Sequence, residues 1–247
     1  MQINPKLIKK QFEKSFNTYN QNAIVQKIMA EKLVEGLLNL DYTNFDSILE
    51  LGCGTGILTK ELIKKINFKS YFANDLVEKS KNCINKIIPN AKFYYGNALK
   101  IKVERKQDLI ISNAMFQWFS NPDTICTHCK KQLNPNGILA FSTFSANNFK
   151  EIKDLTGLSL EYKTFEEIKD ITNKNFEILH YNEFEHKLKF STPLELLAHM
   201  KNTGVNSLAS KHWTFKEVKD FCDNYKEKFP DITLTYSPVI IIGKKKS

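Results

Sequence analysis

The chain reads as an α/β protein organised around an open, mostly parallel sheet. Strand-type segments alternate with helix-type segments up to residue 143, the pattern that successive βαβ units produce. The first of these strands runs straight into three alternating glycines, Gly52, Gly54 and Gly56, and helical spacing follows at once. A chain of 247 residues with 42% hydrophobic content can bury a sizeable core in one elaborated domain, residues 1–247.

Each element has its own signal. Ile48-Leu-Glu-Leu51 suits a buried parallel strand that presents Glu50 near its end, and the glycines allow a sharp turn and close approach to a ligand. Residues 57–66 are spaced as a helix. A dinucleotide fold would place G-x-G-x-x-G at such a turn. Here the third glycine comes one residue early and Ile57 stands where glycine is required. A P-loop is excluded as well, because no Gly-Lys-Ser or Gly-Lys-Thr follows. Lys69-Ser-Tyr-Phe-Ala-Asn-Asp75 reads as a second strand ending in an acid about twenty residues after the glycines. That acid can accept from two ribose hydroxyls or cap a helix starting near Glu78. Ala91-Lys-Phe-Tyr-Tyr-Gly-Asn97-Ala98 supplies a third strand and turn, and Gln107-Asp-Leu-Ile-Ile-Ser-Asn113 a fourth strand. Leu133-Asn-Pro-Asn-Gly-Ile-Leu-Ala-Phe-Ser-Thr143 supplies a turn and the fifth.

In this order the segments resemble the class I S-adenosylmethionine (SAM) methyltransferases. The E-x-G-x-G-x-G turn matches their motif I. Asn97 stands at the usual Asp of the turn that holds adenine, where its amide oxygen can accept from the adenine amino group. Ala114-Met-Phe-Gln-Trp118 matches a family segment with Gln117 for the common His, and Asn136 replaces the first Gly of an L-x-P-G-G region. The resemblance implies a Rossmann-like, mostly parallel seven-stranded sheet, SAM as methyl donor and no metal. It also implies a cofactor site drawn from Tyr19, Gln26, Glu50, Gly52, Cys53, Gly54, Gly56, Asp75, Leu76, Asn97, Ala98, Asn113 and Trp118.

The outer segments frame this core, residues 41–190. Residues 6–40 have helical periodicity and form either an arm over the cofactor or a plain packing helix. Residues 164–172 suit a helix, 176–190 alternate as one long strand, and Thr192 caps a helix with Pro193 at its first position. A polar loop, a helix over 215–229 and a last strand over 232–242 complete the chain. Residues 191–230, inserted between two strands, suggest a lid over the acceptor, and 231–247 hold the last strand and a basic tail.

Composition removes several classes. A mean hydropathy of -0.38 and the absence of a long apolar run exclude a membrane-spanning helix. Without an apolar signal core at the N-terminus, and with five scattered cysteines, a cytoplasmic location is expected. Cys126 and Cys129 form a C-x-x-C pair lacking the further ligands of a zinc site, so they are read as a helical surface or core pair. The formal net charge of +9 is almost entirely lysine, Arg105 being the sole arginine. Phosphate and base recognition favour arginine's planar fork, so this charge predicts attraction to an acidic partner and not nucleic acid.

Further pieces narrow the family. Thr18-Tyr19, Ala23-Ile-Val-Gln26, Phe141-Ser-Thr-Phe144, Asn148-Phe-Lys-Glu-Ile152, Thr156-Gly-Leu158 and Lys201-Asn-Thr-Gly-Val-Asn-Ser-Leu208 occur in order. Together they resemble the malonyl-[acyl-carrier protein] O-methyltransferases of biotin synthesis over nearly the whole chain. That resemblance implies methylation of the free carboxylate of a malonyl thioester on acyl-carrier protein, an acidic partner suited to a basic surface. Docking lysines are expected at Lys150, Lys201 and Lys211.

The chemistry is consistent with the residues. A carboxylate acceptor is already ionised at pH 7, so in-line attack on a sulfonium methyl requires no general base. Alignment and water exclusion supply the rate. Tyr19, Ser142, Thr143 and Lys150 are the candidates for positioning the acceptor. The rival classes are a methyltransferase for another small molecule and a noncatalytic SAM-binding module. Nucleic-acid methylation is disfavoured, because Asn113-Ala-Met-Phe116 is neither an N-P-P-Y segment nor a Pro-Cys nucleophile site.

Overall fold

A computed structural model describes residues 5–204 and 213–247. Its strands are β1 (Asn44–Leu51), β2 (Asn67–Asp75), β3 (Lys92–Tyr95), β4 (Gln107–Ser112), β5 (Leu133–Phe144), β6 (Phe176–Glu183), β7 (His186–Lys189), β8 (Thr233–Tyr236) and β9 (Pro238–Lys245). Seven of them form one mixed sheet in the order β3-β2-β1-β4-β5-β9-β6. The first five are parallel to their neighbours, and β9 runs antiparallel between β5 and β6. Strand order reverses between β1 and β4. In open α/β sheets, ligands bind in the crevice beyond the strand C-termini at such a point.

The helices are α1 (Pro5–Asn22), α2 (Ile24–Asn39), α3 (Ile57–Leu62), α4 (Ser80–Ile87), α5 (Pro122–Gln132), α6 (Lys150–Thr156), α7 (Phe165–Asn173), α8 (Pro193–Asn202) and α9 (Phe215–Lys228). Alternate strand residues feed opposite faces of the sheet. Ile48, Ile111 and Ile242 pack against α2, α3 and α4, whereas Leu49, Ile110 and Ile241 pack against α5 and α7. On α2, Met29, Leu33 and Leu37 recur every four residues and are fully buried. Each such side chain contributes about 1.5–3 kcal/mol of burial. Cys126 and Cys129 belong to the α5 face of the core, and burial pushes the Cys126 thiol up to about 12. No group of acidic, His and Cys side chains among the described residues could hold a metal ion. Nor is any helix there long and apolar enough to cross a membrane.

Two elements differ from expectation. The alternating run over 176–190 is not one strand but two, and so is the run over 232–242. Both change sheets at the same level, leaving β7 and β8 as a separate two-stranded sheet. The cause lies at Ser237. Its N–H donates to Asn148 Oδ1 at 3.2 Å and its carbonyl accepts from the Ser145 N–H at 2.9 Å, which diverts it from the ladder. Pro238 then has no N–H to give. The helical stretch over 6–40 likewise divides at buried Ala23 into α1 and α2. Thr192 caps α8 as expected, accepting from the Glu195 N–H with Pro193 in the first turn.

Candidate active site

A cavity of about 660 Å³ opens beyond the C-terminal ends of β1, β2 and β4. Its floor is the glycine turn. The N–H groups of Gly52 and Cys53 both donate to the Asn74 carbonyl, at 2.9 and 3.0 Å, and pin the turn to the end of β2. The Gly54 N–H donates to Asp75 Oδ2 at 2.7 Å, and Oδ1 accepts from the Val77 N–H at 2.7 Å. A carboxylate offers about four lone-pair sites, so Asp75 retains capacity toward a ligand. Burial pushes its pKa up, and the two backbone N–H groups oppose that shift. Gly54 has φ +50°, and a Cβ placed there would meet no atom within 4 Å. The turn therefore leaves open space that any other residue would enter. At Gly56 a Cβ would instead strike Ile87 of α4 at 2.5 Å, so this glycine serves helix packing, and it does not line the cavity.

Glu50 lies under the turn, almost wholly buried. Its Oε2 accepts from Thr59 Oγ1 at 2.6 Å and from the Tyr71 hydroxyl. Burial pushes this carboxyl up to about 7, against those two hydrogen bonds and with help from nearby Asp75. Cys53 is buried beside it, its thiol pushed up by burial. At the end of β3, Asn97 and Ala98 line the cavity with Leu76 and Leu99. The Asn97 oxygen already accepts from the Leu99 N–H at 2.9 Å, which orients the amide. Asn113 bridges elements: Nδ2 donates to the Gln26 carbonyl at 2.9 Å and Oδ1 accepts from Ser142 Oγ at 2.5 Å.

The N-terminal helix forms the opposite wall. Pro5, Ile8, Lys9, Phe12, Phe16 and Tyr19 of α1 line the cavity. The helix is tied at both ends. Asn20 Oδ1 accepts from Thr55 Oγ1 in the glycine turn at 2.5 Å, and Lys9 Nζ donates to the Tyr95 hydroxyl at 2.7 Å. Sequence reasoning missed Phe12, Phe16 and Lys9, although Ile8, Phe12 and Phe16 stand four residues apart and mark one face of α1. Trp118 sits edge-on to Phe12 with ring centroids 5.8 Å apart.

The proposed acceptor residues separate. Tyr19 borders the large cavity and a narrower side pocket, and burial pushes its phenol up. Gln26 lines only the side pocket. Ser142 is fully buried and engaged with Asn113 and the Ala114 N–H, and neither it nor Thr143 lines either of these two spaces. Lys150 is half-buried at the start of α6 and pairs with Glu185 at 3.0 Å. Lys201 is exposed on α8, and Lys211 lies outside the described residues, as do positions 205–208 of the polar loop.

A methyltransferase-domain model matches residues 44–229. The fold is shared with the N-methyltransferase NodS of Bradyrhizobium japonicum, solved in complex with S-adenosyl-L-homocysteine (SAH). That likeness has a TM-score of 0.54 at 12% identity and covers 94% of this chain and 100% of the other. The sheet order, the open glycine turn and the acid at the end of β2 fit SAM, and the chain is a class I SAM-dependent methyltransferase. Two relatives, from Haemophilus influenzae and Calditerrivibrio nitroreducens, carry the name malonyl-[acyl-carrier protein] O-methyltransferase. They are 35% and 38% identical to it, each across 96% of this chain and covering 93% and 96% of their own lengths. The chain belongs to the malonyl-[acyl-carrier protein] O-methyltransferase family.

Proposed function

We propose that this protein methylates the free carboxylate of malonyl-acyl-carrier protein, giving the methyl ester that primes pimeloyl synthesis for biotin in the cytoplasm. The full-length match to the malonyl-carrier-protein family carries this reading, and the large cavity supports it. Bound SAM supplies an electrophilic methyl on a sulfonium. Asp75 accepts from the ribose hydroxyls, Asn97 orients the adenine, and Glu50 offsets positive charge from below the glycine turn. Gly52 and Gly54 allow close approach, while α1 excludes water. No residue need take a proton, since the acceptor arrives ionised.

Of the described residues in the 191–230 segment, Thr203 after α8 lines the side pocket, which supports a cover on the acceptor side. Docking of the acidic carrier draws on the basic surface around Lys150 and Lys201, whose exposed pairs are each worth about 0–1 kcal/mol. The test is incubation with labelled SAM and malonyl-carrier protein, followed by mass analysis and mild alkali. A carboxyl methyl ester releases its label in alkali. Label that survives alkali on the carrier overturns the acceptor class.

A further inference from the structure

The side pocket beyond Tyr19 has a composition the cofactor does not explain. It shares Phe12, Tyr19, Ala114 and Trp118 with the large cavity as a common wall. Its other polar lining comes from Gln26, Gln117, Asn148, Tyr162, Thr203 and Tyr236. No charged side chain lines it among the described residues.

We propose that this pocket binds the reacting carboxylate of the acyl thioester through the neutral donors that line it, with Tyr162, Tyr236 and Gln26 as its specificity-determining residues. The inference rests on the carboxyl-methylating reading above.

The hydrogen bonds orient the donors. Asn148 Nδ2 donates to the Tyr162 hydroxyl at 2.9 Å, so the proton of that hydroxyl remains for the pocket. Asn148 is itself held by the Ser237 N–H, which makes it a positioning residue. His199 Nε2 lies 2.7 Å from the Tyr236 hydroxyl. Burial holds His199 down to about 4, so the ring is neutral at physiological pH. The proposal requires the tautomer with the proton on Nε2, which donates to Tyr236 and leaves that hydroxyl's proton for the ligand. Burial pushes the phenols of Tyr19, Tyr162 and Tyr236 up, so all three stay protonated donors. Gln26 is 5% exposed; its Oε1 is an enclosed acceptor, and its Nε2, which makes no hydrogen bond among the described residues, is the donor it offers to the acceptor's oxygens.

Neutral donors suit this reaction better than a cation. Attack of carboxylate on sulfonium forms one C–O bond, breaks one C–S bond and cancels both charges. A guanidinium partner would stabilise the charged ground state more than the charge-depleted transition state, and so raise the barrier. Hydroxyl and amide donors hold the oxygens in place while leaving their charge to attract the sulfonium at low dielectric. The sole arginine, Arg105, is absent from both cavities.

The test compares wild type with Tyr162→Phe and Gln26→Glu, measuring KM and kcat for malonyl-carrier protein, SAH affinity by calorimetry and thermal melting. Tyr162→Phe keeps the ring and should raise KM roughly 10- to 100-fold, the range for a hydrogen bond to a charged group. Gln26→Glu sets a second carboxylate against the acceptor and should abolish methylation. Both should bind SAH as wild type does and melt as a folded protein. Unchanged KM in Tyr162→Phe together with retained methylation in Gln26→Glu overturns the pocket while leaving the function intact. Loss of SAH binding in step with activity reassigns these residues to the cofactor and also overturns it. A wild type inert toward malonyl-carrier protein overturns the functional reading, and the pocket's ligand with it.

Discussion

In the large cavity two carboxyl groups, Glu50 and Asp75, stand at adjacent strand ends. The side pocket across Tyr19 offers phenols and amides and no ionised side chain among the described residues. The first space is made by one short turn and the ends of consecutive strands. The second is assembled from α1, α2, the segment before α6, the loop before α7 and β8. The contrast shows how one fold treats two opposite charges. Acids are buried where a cationic cofactor belongs, and Glu50 bears the desolvation that this entails. Where an anion must react, the described residues supply donors without a counter-charge.

The largest expected effect on this division is at Asp75. Asp75→Ala should weaken SAM binding roughly 10- to 100-fold through lost charge-assisted hydrogen bonds. Unchanged affinity by calorimetry would remove the acid from the cofactor site. Gly54→Ala sharpens the point, because the added Cβ meets no protein atom. Its stability cost should be limited to the left-handed backbone, about 1–2 kcal/mol. A further loss of SAH affinity, roughly tenfold for one displaced contact of about 1.4 kcal/mol, would mark the space as the ligand's. Equal affinity in both proteins argues that the ligand lies elsewhere.

Glu50 gives a pH signature. Its folded pKa, pushed from 4.5 to about 7, exceeds the unfolded value, so the native protein holds a proton that the unfolded chain releases between those limits. Stability from this group is complete below about pH 4.5, falls by about 1.4 kcal/mol per pH unit across the window, and levels off above about pH 7. Denaturant melts of the ligand-free protein at pH 5 and pH 8 should show wild type losing stability relative to Glu50→Gln. A constant difference between the two proteins contradicts the shift. Smallest is the effect of salt. Methylation of malonyl-carrier protein should slow a few-fold as salt shortens the Debye length below about 8 Å, while a short malonyl thioester changes little. Equal sensitivity of both substrates removes the lysines from docking.

The same contrast governs what could be read in advance. Gly52, Gly54 and Asp75 belong to local strings whose backbone demands are written in the residues themselves, and the parallel strands follow from apolar runs of the right length. Tyr162 and Tyr236 had no such signature, and Asn148 stood in a string that resembled the family without showing what its side chain holds. They meet because two strands leave the main sheet together at Ser237, an event set by hydrogen bonds to residues about ninety positions away. Alternation alone could not show that break, since both halves of each run keep a strand's period. Ser142 was singled out by its motif, and its buried hydroxyl instead joins β5 to Asn113.

The ties at the two ends of α1 have a consequence for turnover. Whatever occupies the large cavity lies against this helix, which the Asn20–Thr55 and Lys9–Tyr95 bonds hold in place. Each contributes only about 0.5–1.5 kcal/mol, so the helix can detach readily. Detachment of this one helix would widen the way out for spent cofactor. Loosening that helix should shorten the residence time of SAH and relieve its product inhibition before it touches the rate of methyl transfer.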